Sequence, residues 1–366
     1  MALIEEIEKR SREIKTDGYS MSIGEMMSLY KDGDLDVHPE FQRIFRWSEE
    51  QKARLIESIL LGIPVPTIFV SQRPDGVWDV IDGVQRLSTL LQFVGVYLSE
   101  DGEQVEAEPL RSTEYLPSLG GYVWENDQEG VLSFDEVQRR DFKRAKLDFR
   151  IIKKESDKDA KYDLFQRLNS GTELSAQEAR DCLLVMLNAS MYRWLVQLST
   201  NDKFKNTVPL TSRKEDEGFR QELVLRFHLY KDFDGGKGEL QQEFGEYLTS
   251  WMRESAESKK FDLSAHEKAF NDVFKLLDTA LGEDAFRRFD SDKNRFLGAF
   301  SISAFESIVS GLAQSYGLWK GREPEELAGR IKAMWGEEYF RDNSGTGVSA
   351  RRRMPRLVHF GRGYFA

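Results

Sequence analysis

The chain has 366 residues, 40% of them hydrophobic, and a formal net charge of −11. That length is enough for two domains with real cores, and the acidic balance argues against a general electrostatic clamp on nucleic acid, which would be basic. A single cysteine, Cys182, and four histidines exclude a disulfide framework and leave little for a metal cage, as expected of a soluble cytoplasmic protein.

The opening MALIEEIEKRSREIK is charged and does not read as an apolar signal segment. Ser48 with Gln51 fits a capping box, and Leu55, Ile56, Ile59 and Leu60 then make one apolar helical face. Gly62 ends that helix, and the prolines of IPVP force an extended exit into the strand-like TIFV. The longest apolar stretch, ILLGIPVPTIFV, is broken by Pro64 and Pro66, so no membrane span is expected. The turn RPDG leads into VWDVI, which predicts a β-hairpin over 67–81. After Gly83, the residues Leu87, Leu90, Leu91 and Val94 mark a helix.

Residues 99–135, rich in Gly, Glu, Asp and Ser, read as an insertion or long loop, and LDFRII (147–152) reads as a further strand. From about residue 159 the pattern turns helical. FQRLNSG stops at Gly171, and Ser175 with Glu178 gives a second capping box. Helical patterns recur at 218–230, 239–253, 264–282, 294–317 and 323–335, with no repeat of the solenoid kind. The expected architecture is α+β: a mixed α/β domain over 1–155, then a mostly α-helical bundle over 156–366 ending in a basic tail.

Three stretches could carry chemistry. In IDGVQRL, Asp82-Gly83 closes a strand, and glycine allows a positive φ or close approach of a ligand. The following helix offers unpaired amides and a positive dipole end, a place for a phosphate. Arg86 adds a planar charged fork, Gln85 a neutral donor and acceptor, and Asp82 a metal ligand or an orienting partner for Arg86. A plain Asp-Gly turn explains the same residues. In HPEFQRIFRW, Gln42, Arg43 and Arg46 lie among Phe41, Phe45 and Trp47. Interleaved aromatics and arginines suit a base or nucleotide, or else a core with arginines snorkelling outward. In FQRLNSGTELSAQEARD, Arg180 could face an acid or a ligand from the restarted helix.

Two basic runs stand out in the acidic chain. Residues 138–154 carry eight Lys or Arg, among them Arg139, Arg140, Lys143 and Arg144; the last 24 residues carry five Arg, among them Arg351, Arg352 and Arg353. Such runs are either solvated faces or contacts for a phosphate-bearing partner such as DNA.

The succession FQR…W, LLGIPVP, IDGVQRLSTL and FQRLNSGTELSAQEARD resembles the N-terminal domain of GmrSD-type restriction proteins (domain of unknown function 262), over about residues 20–185. The resemblance implies a distant ParB/sulfiredoxin-like fold, with nucleotide binding and hydrolysis at the loop coupled to recognition of modified phage DNA. By position, Asp82, Gln85 and Arg86 would be catalytic, with Asp82 holding Mg²⁺. Gly83, Phe41, Gln42, Arg43, Arg46 and Thr89 would contact a nucleoside triphosphate: GTP, ATP or CTP. The family loop reads Asp-Gly-Gln-Gln-Arg. Here Val84 replaces the first glutamine, which removes a polar contact. GmrSD-type enzymes cut DNA with an HNH-like nuclease domain. Neither His38, His228, His266 nor His359 stands in the expected pairing, so a separate nuclease subunit is expected. Homo-oligomerisation stays open. The alternatives are a non-catalytic DNA-binding or adaptor module and, ranked last, a ParB-like DNA nickase.

Overall fold

A computed structural model describes residues 15–37, 47–99, 102–156, 175–345 and 347–366. The chain divides into two compact units, Met1–Leu174 and Ser175–Ala366.

The first unit is mixed α+β. Strand β1 (Thr16–Ser22) runs into helix α1 (Ile23–Lys31), whose first turn is capped by Ser22 accepting from the Glu25 amide. After the short β2 (Leu35–Asp36) comes α2 (Glu49–Leu60), opened by the expected Ser48–Gln51 capping box. Strands β3 (Ile68–Gln72) and β4 (Trp78–Asp82) pair antiparallel as the predicted hairpin. Then α3 (Val84–Phe93), α4 (Glu136–Arg144) and β5 (Lys146–Ile152) complete the unit. The sheet order is β1-β5-β3-β4-β2. β1/β5 and β3/β4 are antiparallel, whereas β5/β3 and β2/β4 are parallel. Ile68, Val70 and Val80 from the sheet and Leu87, Leu90 and Leu91 from α3 are fully buried, as alternation on strands and a 3.6-residue period on the helix require.

The polar composition of 99–135 hides how tightly its described part is packed. Its regular structure amounts to a short 3₁₀ turn (Pro117–Leu119) and isolated bridges. Trp124 and Phe134 nevertheless join Phe93 and Phe142 in a buried aromatic cluster, with Phe93 and Phe134 5.3 Å apart edge to face. Glu57 of α2 is buried, and its Oε1 accepts from the amides of Tyr115 (3.0 Å) and Leu116 (2.9 Å). A carboxylate taking two amides pins the loop without a regular element.

The second unit is helical apart from one hairpin. In chain order it comprises α5 (Ala176–Ser199), α6 (Asp202–Thr207), α7 (Ser212–Asp216), α8 (Phe219–Asp232), α9 (Phe244–Glu257) and α10 (Leu263–Leu281). The hairpin β6 (Arg288–Asp290)/β7 (Arg295–Leu297) follows, then α11 (Ile302–Trp319), α12 (Pro324–Met334), α13 (Glu338–Ser344) and α14 (Ala350–Tyr364). The helix expected over 294–317 therefore begins only at Ile302. Phe289 and Phe296 face each other across the hairpin, and Ser301 starts the helix by accepting from the Ala304 amide.

The segment read as a basic tail contains α14. Met354, Leu357 and Val358 are buried there. A Cβ at Gly361 would collide with the Ser307 carbonyl of α11, and one at Gly311 with that of Gly361. Small residues thus let α11 and α14 meet backbone to backbone. Among the described residues, no helix is long and apolar enough to cross a membrane.

Candidate functional site

The corner between β4 and α3 is built by one backbone requirement. Gly83 sits at φ 98°, ψ 11°, the left-handed region that side chains avoid. A Cβ there would overlap the Ile68 side chain on β3. The glycine therefore allows both the turn and its close seating on the hairpin. Among the described residues, no side chain caps the first turn of α3, and Gly83 and Val84, which open it, are buried.

Arg86, one turn into α3, folds back over the corner. Its Nη2 donates to Asp82 Oδ2 at 2.7 Å; its Nη1 donates to the carbonyls of Pro66 and, at 3.4 Å, Thr67. The arginine side chain is 11% exposed and that of Asp82 29%. The guanidinium thus already has a carboxylate and two carbonyls, a pairing that spacing alone could not separate from a waiting phosphate clamp. It also tethers a segment short of donors, since Pro64 and Pro66 have no N–H. Gln85 Oε1 accepts from the Trp47 amide at 3.5 Å, which joins the corner to the start of α2.

Val84 is 5% exposed, so the residue that departs from the family loop packs into the core. Thr89 is likewise buried, at 4%. Phe41, Gln42, Arg43 and Arg46, together with the FQRLNSGTEL stretch, lie outside the described residues.

The basic residues are largely engaged. Arg139 pairs with Glu125 (3.2 Å), Arg140 with Glu136 (2.8 Å) and Arg144 with Asp141 (3.8 Å), while Lys143 lies over the Trp124 ring. Arg351 reaches Glu239 and Glu243; Arg353 closes on the fully buried Glu306 at 2.9 Å; Arg352 is exposed.

Sequence reasoning missed an ionic chain inside the helical unit. Arg180 is buried against Glu222, and its Nε donates to Gln177 Oε1 at 2.8 Å. Arg226 shares Glu222 and lies 3.5 Å from the Tyr230 hydroxyl, which in turn reaches Glu306 at 3.5 Å. Beside this chain, burial pushes the Asp181 carboxyl up to about 8, against the Gln177 amide that donates to it at 2.6 Å. Only Arg180 was singled out in the sequence, as an arginine that could face an acid or a ligand, a choice periodicity does not make. Its partner stands 42 residues away.

Among the described residues, no group of three or more His, Cys, Asp or Glu side chains could hold a metal ion. Asp82 is the one carboxylate of the DGVQR turn. A Mg²⁺ ion there would find this one carboxylate, whose Oδ2 already accepts from Arg86, and would need phosphate oxygens and water for its other ligands.

These features define a two-unit protein whose mixed α+β part carries a strand–glycine–helix corner closed by an internal ion pair. Residues 23–185 match the family model of the GmrSD restriction endonuclease N-terminal domain, so the chain carries a GmrSD-type N-terminal domain. The match suggests a role in a restriction system and runs past Ser175 into α5. No curated protein and no solved structure matches the chain.

Proposed function

We propose that the chain is a nucleoside-triphosphate-binding and -hydrolysing sensor of DNA, modified phage DNA in particular, that acts with a separate nuclease in an anti-phage restriction system. In this reading the first unit is ParB/sulfiredoxin-like. The observation that carries it is the coincidence of the family's Asp-Gly loop with the left-handed Gly83 corner at the start of α3, which no side chain among the described residues caps. Amides of that turn take phosphate oxygens. Asp82 would hold the Mg²⁺ that such nucleotides carry, which would supply charge neutralisation at the phosphates. Arg86 holds Asp82 in place and bears on charge that develops there. The pairing of Arg139, Arg140, Arg351 and Arg353 with carboxylates supports a sensor over an electrostatic DNA clamp.

The test is a thermal-shift screen of the full chain with GTP, ATP or CTP plus Mg²⁺. One of these raises the melting temperature; a ligand at a hundred times its Kd adds about 2.7 kcal/mol. Arg86→Lys keeps the charge but loses the planar fork and the response. Arg86→Ala is the blunter probe, because breaking its hydrogen bonds costs about 1.5–3 kcal/mol before any nucleotide is added. Flat melting curves with all three nucleotides at millimolar concentration overturn the proposal.

A further inference from the structure

A second polar device stands apart from the corner, in the helical unit. His266 Nε2 on α10 lies 3.4 Å from Asp232 Oδ2 at the end of α8. The other side of the same ring continues the line: His266 Nδ1 lies 3.1 Å from Nδ1 of His228, also on α8. His228 is fully buried and His266 is 7% exposed, whereas the Asp232 side chain is 33% exposed. Beyond His228 the line stops. Its Nε2 has no partner among the described residues, nor has Nε1 of Trp194 on α5, whose ring centre is 4.8 Å from that of His228.

Two Nδ1 atoms at this distance share one proton: one donates and the other accepts. Asp232 decides which. A carboxylate beside His266 Nε2 keeps a proton on that nitrogen, leaving Nδ1 as the acceptor. His228 therefore donates from Nδ1 and presents a bare lone pair at Nε2. A further proton has two places to go. On His228 Nε2 it creates an unpaired N–H in a dry core, beside the unpaired indole N–H. On His266 Nδ1 it sets two donors against each other, unless His228 shifts its own proton to Nε2, which leads to the same orphan.

From this line of contacts we propose that Asp232, His266 and His228 form an acid-operated lock that holds α8, α10 and α5 together near neutral pH and loosens them on proton uptake. The charged groups acting on the pair are Lys231 and Asp232 on α8 and Asp262 at the start of α10. Arg362 of α14 acts on Asp232. From α5 comes the Trp194 indole, and the Phe261 ring stacks on His266 at 4.1 Å. Burial holds both imidazoles below the ordinary histidine value of 6.5, with Asp232 opposing the effect at His266. The folded state therefore refuses protons that the unfolded state accepts. The stabilisation is complete above 6.5 and is lost as pH falls below it.

The test is urea unfolding of the full chain, followed by its helical circular dichroism, between about pH 7.5 and about pH 5.5. Below pH 6.5 the wild-type unfolding constant rises more steeply than that of His228→Phe, by about tenfold per pH unit for one linked proton. Parallel pH profiles overturn the lock. Should the variant fail to fold, imidazole ¹⁵N resonances of the unsubstituted protein decide. The lock requires Nδ1–H on His228 and Nε2–H on His266 at neutral pH, and His228 carrying Nε2–H there, or titrating at 6.5 or above, overturns it.

Discussion

Arg86 in the first unit and Arg353 in the second each close on a carboxylate, at 2.7 Å and 2.9 Å, but in opposite surroundings. Asp82 is 29% exposed and water shares its charge; Glu306 is 0% exposed and depends wholly on protein donors. A partly exposed pair opens more easily, since water can reach the carboxylate left behind. A buried pair does not, because either partner left alone is an unsolvated charge. The corner is thus suited to exchanging partners, and the ionic chain to fixing which helices pack together.

The sharpest way to break the comparison is at its buried end. Arg353→Ala leaves Glu306 uncompensated and should destabilise the helical unit by about 3–5 kcal/mol, read as a fall in the urea midpoint. A loss below 1 kcal/mol, the range of an exposed pair, would erase the distinction.

At the corner the sensitive residue is the glycine. Gly83→Ala forces a side chain to positive φ and into Ile68, and should cost about 1–3 kcal/mol. Ile68→Val shortens the side chain that collides, so the two substitutions should be less harmful together than the sum of their separate effects. Strict additivity would mean that the turn geometry alone is at stake.

Asp181 gives the pH-dependent test. Its folded-state value, about 8, lies far above the ordinary carboxylate range, so the folded protein retains a proton that the unfolded chain gives up. The contribution of Asp181 to stability should fall as pH rises from about 4 to 8, opposite in sign to that of the histidine lock. Asp181→Asn should flatten that fall and be more stable at neutral pH by at least about 1 kcal/mol. An unchanged pH profile would show that Asp181 is ionised in the folded state.

At four short segments among the described residues, the structure follows the local signal. Ser48 with Gln51 and Ser175 with Glu178 cap α2 and α5, RPDG makes the β3–β4 turn, and Gly83 takes the left-handed conformation that its place between strand and helix implied. Arg139 to Arg144 and Arg351 to Arg353 were legible as charge but not as ion pairs, because charge is a property of composition and pairing one of position. The same limit applied to the candidate site. Asp82, Gln85 and Arg86 could be placed on one turn, yet the carbonyls of Pro66 and Thr67 that occupy Arg86 arrive from 20 and 19 residues away.

By itself the sequence determined the local events: where helices start, where the backbone must turn, and a family motif in the order that residues 23–185 share with GmrSD-type N-terminal domains. These depend on contacts within a few residues, which spacing encodes directly. Tertiary structure alone decided that the C-terminal arginines belong to a packed helix, that Glu306 pairs with Arg353 of α14, and that the Nδ1 atoms of His228 and His266, 38 residues apart in sequence, lie 3.1 Å from each other. Such pairings join residues distant along the chain, and burial, which sets their energy, exists only once the chain has folded.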